Sequence, residues 1–300
     1  MREKLEKIFT KSSNELLFSF LPKILKDAGY KEIKHGNSFL YAEGNIPIML
    51  TAHTDTIFED PPQEIYFDQE KQVFWSPQGL GADDKAGIFG ILYLIEKGYK
   101  PYVLFTDGEE RGGKGALEAS QIIAAPPVKM IIELDRRGSK DAVFYDCICP
   151  EFEKYILDFG FEKALGSFTD ISILCSKWNL PGVNLSTGYY NEHSELEYLV
   201  LADLLNTLGK VEKILQNPPQ QSFEVKFKNS YFEMIDEMFD NFDSLNSEGS
   251  FEEPYCCICG EPYCELYRLP ENPDCLVCRN CFEDMEEREP NPGELAYYPW

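Results

Sequence analysis

The sequence predicts an α/β protein: a three-layer domain with a mostly parallel central sheet flanked by helices, followed by a small cysteine-rich module. Three observations carry this reading. Short continuous apolar runs of strand length alternate with longer stretches whose apolar residues recur at helical spacing. The 300 residues are 43% hydrophobic and 27% charged, which is enough apolar material for a sizeable core. Charge and cysteine are unevenly spread: Tyr231–Trp300 carries 18 acids against 3 bases, and seven of the ten cysteines lie between Cys256 and Cys281. Both asymmetries set a boundary near residue 230. The divisions are therefore a main domain over 1–228, an acidic connector over 229–253, a cysteine-rich module over 254–285 and a loosely ordered polar tail over 286–300.

The elements follow in order. Ser12-Ser13-Asn14-Glu15 reads as a capping-box helix start. Leu16, Phe20, Ile24 and Leu25 then recur at helical spacing, and Pro22 either kinks that helix or begins a new one. Glu32–Lys34, Phe39–Ala42 and the continuous apolar run Ile46–Thr51 read as strands. Ala86–Lys97 is an apolar helix, and Tyr102–Phe105 and Met130–Leu134 are buried strands. Leu199–Ile214 is a closing helix with its stripe at Leu201, Leu204, Leu205, Leu208 and Val211. In the connector, Tyr231–Phe242 reads as an amphipathic helix and Asp243–Glu253 as a linker. Strands alternating with helices argue for parallel pairing.

The net charge of −24 disfavours nucleic acid and anionic membranes as partners. No run of about 18 apolar residues predicts a membrane span. Met1-Arg2-Glu3-Lys4 mixes charges without an apolar leader, so a cytoplasmic protein is expected.

Five segments at predicted strand ends concentrate groups able to hold a cation. They are Thr51–Asp55, Gly81–Gly87, Thr106–Glu110, Glu133–Asp135 and Asn191–Glu195, and they contain two of the three histidines. In open α/β sheets, the loops beyond the strands' carboxyl ends bind ligands. His53 and Asp55, two apart in an extended segment, point to the same side. Glu109 and Glu110 are adjacent carboxylates, so one can bind metal while the other remains a base. An isolated His or Asp at a strand end is usually a cap, but five such segments together are not explained that way.

The ordered set His53-x-Asp55, Asp83 in Gly-Ala-Asp-Asp-Lys-Ala-Gly, Glu109-Glu110, Asp135 and His193 resembles the co-catalytic two-zinc exopeptidases. That superfamily includes peptidase T, carboxypeptidase G-type enzymes, acyl-amino-acid deacylases and the leucyl and glutamyl aminopeptidases. The resemblance covers roughly residues 12–215, and Gly113–Ala116 looks closest to the peptidase T side. It implies one zinc on His53, Asp83 and Asp135, and a second on Asp83, Glu110 and His193, with cobalt or manganese as alternatives. It implies Glu109 as general base, acting on a bridging hydroxide, and Asp55 orienting His53. It also implies a cis peptide bond between Asp83 and Asp84. Only 30 positions separate His53 from Asp83 and 58 separate Asp135 from His193, so the domain is expected to lack the family's inserted lid. An aspartate at 135 leans to an aminopeptidase on short peptides. The alternatives are an N-acyl amino-acid deacylase and a non-catalytic scaffold working through its tail.

Arg136 and Arg137 either hold a substrate carboxylate or balance nearby acids. Lys85 is expected to balance charge at its helix start, His35 has no assigned role, and Cys147, Cys149 and Cys175 read as core thiols. In the tail, Cys256-x-x-Cys259 and Cys278-x-x-Cys281 stand 18 residues apart, which fits one structural zinc on four thiolates, with Cys275 able to replace a ligand of the second pair. The module's acidity favours a protein partner over nucleic acid.

Overall fold

A computed structural model describes residues 1–227, together with the backbone of Leu266–Leu269 and Asn272–Cys278. The predicted connector helix, the linker, Cys256, Cys259, Cys281 and the last fifteen residues lie outside the described residues. The chain divides into two units, Met1–Asn229 and Ser230–Trp300.

The first unit opens with α1 (Arg2–Phe9), which sequence periodicity left unassigned. The capping box at Ser12 is present: its hydroxyl accepts from the Glu15 amide at 3.3 Å and its amide donates to the Glu15 carboxylate at 3.1 Å. It starts α2 (Ser13–Glu15), which runs through a π-type turn (Leu16–Phe20) into α3 (Leu21–Asp27). Pro22 lies just after the π-type turn, in a run whose backbone stays helical at Phe20 and Leu21, so it accompanies a local irregularity of the helix rather than a free helix start.

Strands β1 (Ile33–His35), β2 (Phe39–Ala42) and β3 (Ile46–His53) follow, then the short hairpin β4 (Tyr66–Asp68) and β5 (Val73–Trp75). Next come α4 (Ala82–Glu96), β6 (Pro101–Thr106), α5 (Lys114–Ile122) and β7 (Ile131–Arg136). Between β7 and the Asn191–Glu195 segment lie β8 (Asp141–Val143), β9 (Cys147–Ile148), α6 (Pro150–Leu157), β10 (Glu162–Ala164), α7 (Asp170–Trp178), β11 (Gly182–Ser186) and β12 (Tyr189–Tyr190). Then β13 (Tyr198–Val200), α8 (Leu201–Gln216) and β14 (Lys226–Phe227) close the unit.

The eight-stranded sheet runs β1-β2-β6-β3-β7-β11-β8-β10, with its centre, β6-β3-β7-β11, parallel throughout. β2 joins β6 antiparallel and β8 joins β11 antiparallel. Side chains alternate across the sheet. Ile48, Leu50, Ala52, Ile132, Leu134, Val183 and Leu185 enter one buried cluster with α1, α3, α4 and α8. Thr51, His53, Glu133, Asp135 and Asn184 alternate with them, so the polar set points to the opposite face. Helix α4 lies close against β7: a Cβ on Gly87 would stand 2.0 Å from the Leu134 carbonyl oxygen. Among the described residues no helix is long and apolar enough to cross a membrane.

In the second unit the described backbone is one antiparallel pair, β15 (Leu266–Leu269) and β16 (Asn272–Cys278), with Leu266 opposite Cys278.

Candidate metal centre

The parallel order β6-β3-β7 sets three carboxyl ends side by side. His53 is the last residue of β3, opposite Thr106 at the end of β6, and Asp135 is near the end of β7. Strands Ile46–Thr51 and Met130–Leu134 extend further than apolarity alone suggested, because ladder pairing does not depend on side-chain polarity. His53 and Asp135 are therefore held by the sheet rather than by loops. Glu109 and Glu110 follow β6 in a turn that returns to α5, and His193 comes from the loop between β12 and β13. Asp83 lies at the head of α4, where Asp83 and Asp84 depart from helical backbone and the bond between them is cis, as the resemblance implied.

These segments assemble two three-donor groups. His53, Asp83 and Asp135 form one; Asp83, Glu110 and His193 form the other, each with its donor atoms within 4.8 Å of one another. His53, Glu109 and Glu110 also fall within that distance. The two Asp83 oxygens divide between the groups. Oδ1 is 3.1 Å from His53 Nε2, and Oδ2 is 3.4 Å from His193 Nε2. Asp135 Oδ1 is 3.4 Å from His53 Nε2, and Glu110 Oε2 is 3.0 Å from His193 Nε2. The first group is buried, whereas the His193 side chain is 53% exposed and opens the second to solvent.

His53 is oriented by a backbone group. Its Nδ1 lies 3.0 Å from the Asp55 carbonyl oxygen, which can only accept, so Nδ1 carries a proton. The Asp55 carboxylate stands slightly farther away, at 3.4 Å, and accepts from the Glu109 amide at 3.2 Å. With Nδ1 protonated, a neutral imidazole turns its Nε2 lone pair towards two carboxylate oxygens. Lone pairs facing each other repel unless a proton or a cation stands between them.

The electrostatics agree. Burial opposes a charge on His53, but Asp135, Asp55 and Asp83 raise its pKa well above the ordinary value. Hydrogen bonds to Asp83 and Glu110 raise His193 to about 11. Burial pushes the Asp135 carboxyl up to about 6 and holds that of Glu109 well above the usual range, reinforced by neighbouring acids. Lys85 is buried, donates to the Phe9 carbonyl oxygen at 2.9 Å and is lowered by burial to about 8, with Glu197 and Glu15 opposing that shift. It ties α1 to α4 and faces the charge of Glu197 at the helix start. Histidine and carboxylate donors around uncompensated charge fit zinc, cobalt or manganese.

Several supporting residues escaped the sequence reading. Glu197 is buried and accepts from the Ala82 amide at 3.0 Å and the Asp83 amide at 2.9 Å. Asp84 accepts from the His53 amide at 3.2 Å and the Gly87 amide at 3.1 Å. Thr169 donates to Asp135 Oδ2 at 3.0 Å, while Asn184 and Tyr189 each donate to the Asp135 carbonyl oxygen at 3.0 Å. Only Asp84, inside the Asp-Asp string, carried any signal. The others are single residues far away in sequence. Arg136 and Arg137 are engaged with neighbours, Arg137 with Glu192 at 2.6 Å and Arg136 with Asp141 at 3.6 Å. His35 stacks on Phe18, and Cys147, Cys149 and Cys175 are buried free thiols.

No protein-family model matches the sequence, and no curated protein matches it. Solved structures do. An aminopeptidase from Bacillus cereus matches at 15% identity over 72% of this chain and 97% of that one, with a TM-score of 0.54. A tripeptidase from Staphylococcus aureus matches at 13% identity over 72% and 98%, with a TM-score of 0.55. A TET aminopeptidase from a marine-sediment archaeon of the Thaumarchaeota matches at 13% identity over 73% and 97%, with a TM-score of 0.56. The chain shares their fold.

Proposed function

We propose that the chain is a metal-dependent hydrolase of peptide bonds, an aminopeptidase acting on short peptides. One observation carries this reading: a single buried carboxylate, Asp83, divides its oxygens between two separate three-donor groups. His53, Asp83 and Asp135 would hold one zinc ion, and Asp83, Glu110 and His193 the other. When bound, such a pair polarises the scissile carbonyl and lowers the pKa of a water.

The chain's own residues supply the rest. The Asp55 carbonyl holds His53 in the tautomer that presents Nε2. Glu109 is the acid beside both groups that neither needs as a ligand. Its burial makes it a better proton acceptor than an exposed glutamate, which suits a general base near neutral pH. It takes a proton from the attacking water as the new C–O bond forms. It then passes that proton to the amide nitrogen as the C–N bond breaks, giving a carboxylate and a free amine. The names of the matched structures support peptides as substrates. The engagement of Arg136 and Arg137 with Asp141 and Glu192 favours an aminopeptidase over an enzyme that grips a carboxyl terminus.

The test is hydrolysis of a panel of short peptides, free and N-acylated, by the wild type and by Glu109→Gln. Cleavage of free-amine peptides alone, slowed by about 10²–10⁴ in the variant at unchanged metal content, is expected. Cleavage of acylated substrates alone would move the assignment to a deacylase. No turnover by the metal-loaded chain would overturn the enzyme reading.

A further inference from the structure

The main unit has a second sheet, four-stranded and antiparallel, in the order β12-β13-β5-β4. Its register sets Tyr190 opposite Tyr198, Tyr198 opposite Trp75, and Trp75 opposite Tyr66. One aromatic residue from each strand therefore stands in a single row across one face. Their neighbours in sequence, Tyr189, Leu199, Phe74 and Phe67, turn the other way and pack on the core. The row meets solvent: Tyr66 is 44% and Trp75 43% exposed, and Tyr190 and Tyr198 are half-buried. Its rings stack in two pairs, Tyr66 on Trp75 with centres 4.7 Å apart and Tyr190 on Tyr198 at 5.2 Å. At about 4.8 Å between neighbouring strands the row is roughly 14 Å long, the reach of about four residues of extended peptide.

This row is continuous with the metal centre. The loop that carries His193 leaves β12 after Tyr190 and enters β13 at Tyr198. Glu197, next to Tyr198, accepts from the Asp83 amide at 2.9 Å. The donor group that His193 completes is also the one open to solvent. Both ends of the row are acidic. The Tyr190 hydroxyl donates to Asp203 at 2.7 Å, and the Tyr66 hydroxyl donates to Glu64 at 2.8 Å. Arg137, whose neighbour Gly138 donates to the Tyr189 carbonyl oxygen, is engaged with Glu192 at 2.6 Å. Exposed ring faces with a carboxylate at either end favour a cation, in a chain whose net charge is −24.

Given the peptidase reading of the metal centre, on which this depends, we propose that the aromatic row is a platform for the carboxyl-terminal part of the peptide substrate and selects a lysine or arginine there. An aminopeptidase substrate places its first residue at the metal pair, so the rest of it leaves over the adjoining surface. From the open, His193 side that surface begins with Tyr190 and Tyr198 and continues to Trp75 and Tyr66. The stem of a lysine or arginine covers a ring face while its charge lies over the ring, and Glu64 and Asp203 add to the attraction. A glutamate in the same place meets the negative faces of the rings and carboxylates of its own sign, so the row selects by charge.

The experiment compares three substrates of the metal-loaded full chain: a dipeptide, a hexapeptide with lysine at its fourth position, and the same hexapeptide with glutamate there. The lysine peptide should have the higher kcat/KM of the two hexapeptides, by a margin that narrows with salt. Trp75→Ala and Tyr66→Ala should each lower kcat/KM for the lysine peptide about two- to fivefold and leave the dipeptide unchanged, whereas Trp75→Phe, which keeps a ring, should retain most of the preference. A variant that merely disturbed the fold would slow the dipeptide as well. In parallel, fluorescence anisotropy of the labelled lysine peptide with the metal-free chain should show saturable binding with the same dependence on Trp75. Equal turnover of the two hexapeptides, or a preference that survives both alanine variants, overturns the platform and leaves the peptidase reading in place. No turnover of any of the three overturns the peptidase reading instead, and the anisotropy titration then decides the platform: binding that is equal for the glutamate peptide, or unaffected by Trp75→Ala, overturns it.

Discussion

Loading the proposed two-metal site should expel protons in a number the geometry sets. Histidine must be neutral to ligate a cation. In the metal-free chain both site histidines hold an extra proton at pH 7: His193 at about 11, through Asp83 and Glu110, and His53, raised well above its ordinary value by the surrounding acids despite its burial. Filling both sites therefore displaces about two protons from the histidines, and Glu109 can add to that. Each displaced proton makes the apparent affinity rise about tenfold per pH unit, or 1.36 kcal/mol. Two protons give about a hundredfold per unit near neutrality. The sign is fixed: affinity rises with pH because protons compete with the metal. Below about pH 6 the Asp135 carboxyl also takes up a proton, so the dependence steepens by one. Isothermal titration with zinc in buffers of different ionisation enthalpy counts the protons directly. His193→Gln should lower the count by about one. Identical heats in all buffers, or a count unaffected by that substitution, would refute the reasoning.

Three further outcomes are expected. Gly87→Ala places a Cβ 2.0 Å from the Leu134 carbonyl oxygen and 2.5 Å from the Asp84 carboxylate, so denaturant unfolding should show a loss at or above the usual overpacking cost of about 1–3 kcal/mol. Thr169→Val keeps the side chain's volume but removes the donor to Asp135, and chelator competition should show metal affinity reduced about ten- to a hundredfold. If the tail holds a structural zinc, Cys278→Ser should lower the zinc content by about one ion per chain without changing peptide hydrolysis, as measured by atomic absorption.

The short apolar segments were legible because parallel strands buried on both faces read as continuous hydrophobic runs. Their ends were not: His53 and Arg136 complete β3 and β7 through backbone pairing that their side chains do not advertise. Helices α1, α5, α6 and α7 went unassigned. Their stripes are short, and α5 follows a glycine pair with no conventional cap. The polar-apolar alternation Thr51-Ala52-His53 and Glu133-Leu134-Asp135 already held the division of the sheet into an apolar face and a site face.

The sequence by itself determined the donor inventory. Hard and borderline cations demand particular atoms, and five short strings supply them, with adjacent carboxylates and an aspartate pair visible as text. The resemblance implied how those donors divide, and only the tertiary structure shows what holds them in that division. That Asp83 turns one oxygen to each histidine depends on strand order, on the return of the β12–β13 loop and on two carboxylates, Glu197 and Asp84, that hold the backbone around it. Those contacts span up to 115 residues, as between Glu197 and Ala82. No local pattern records such a distance, because it is closed by the packing of α4 on the sheet rather than by any preference of the residues themselves.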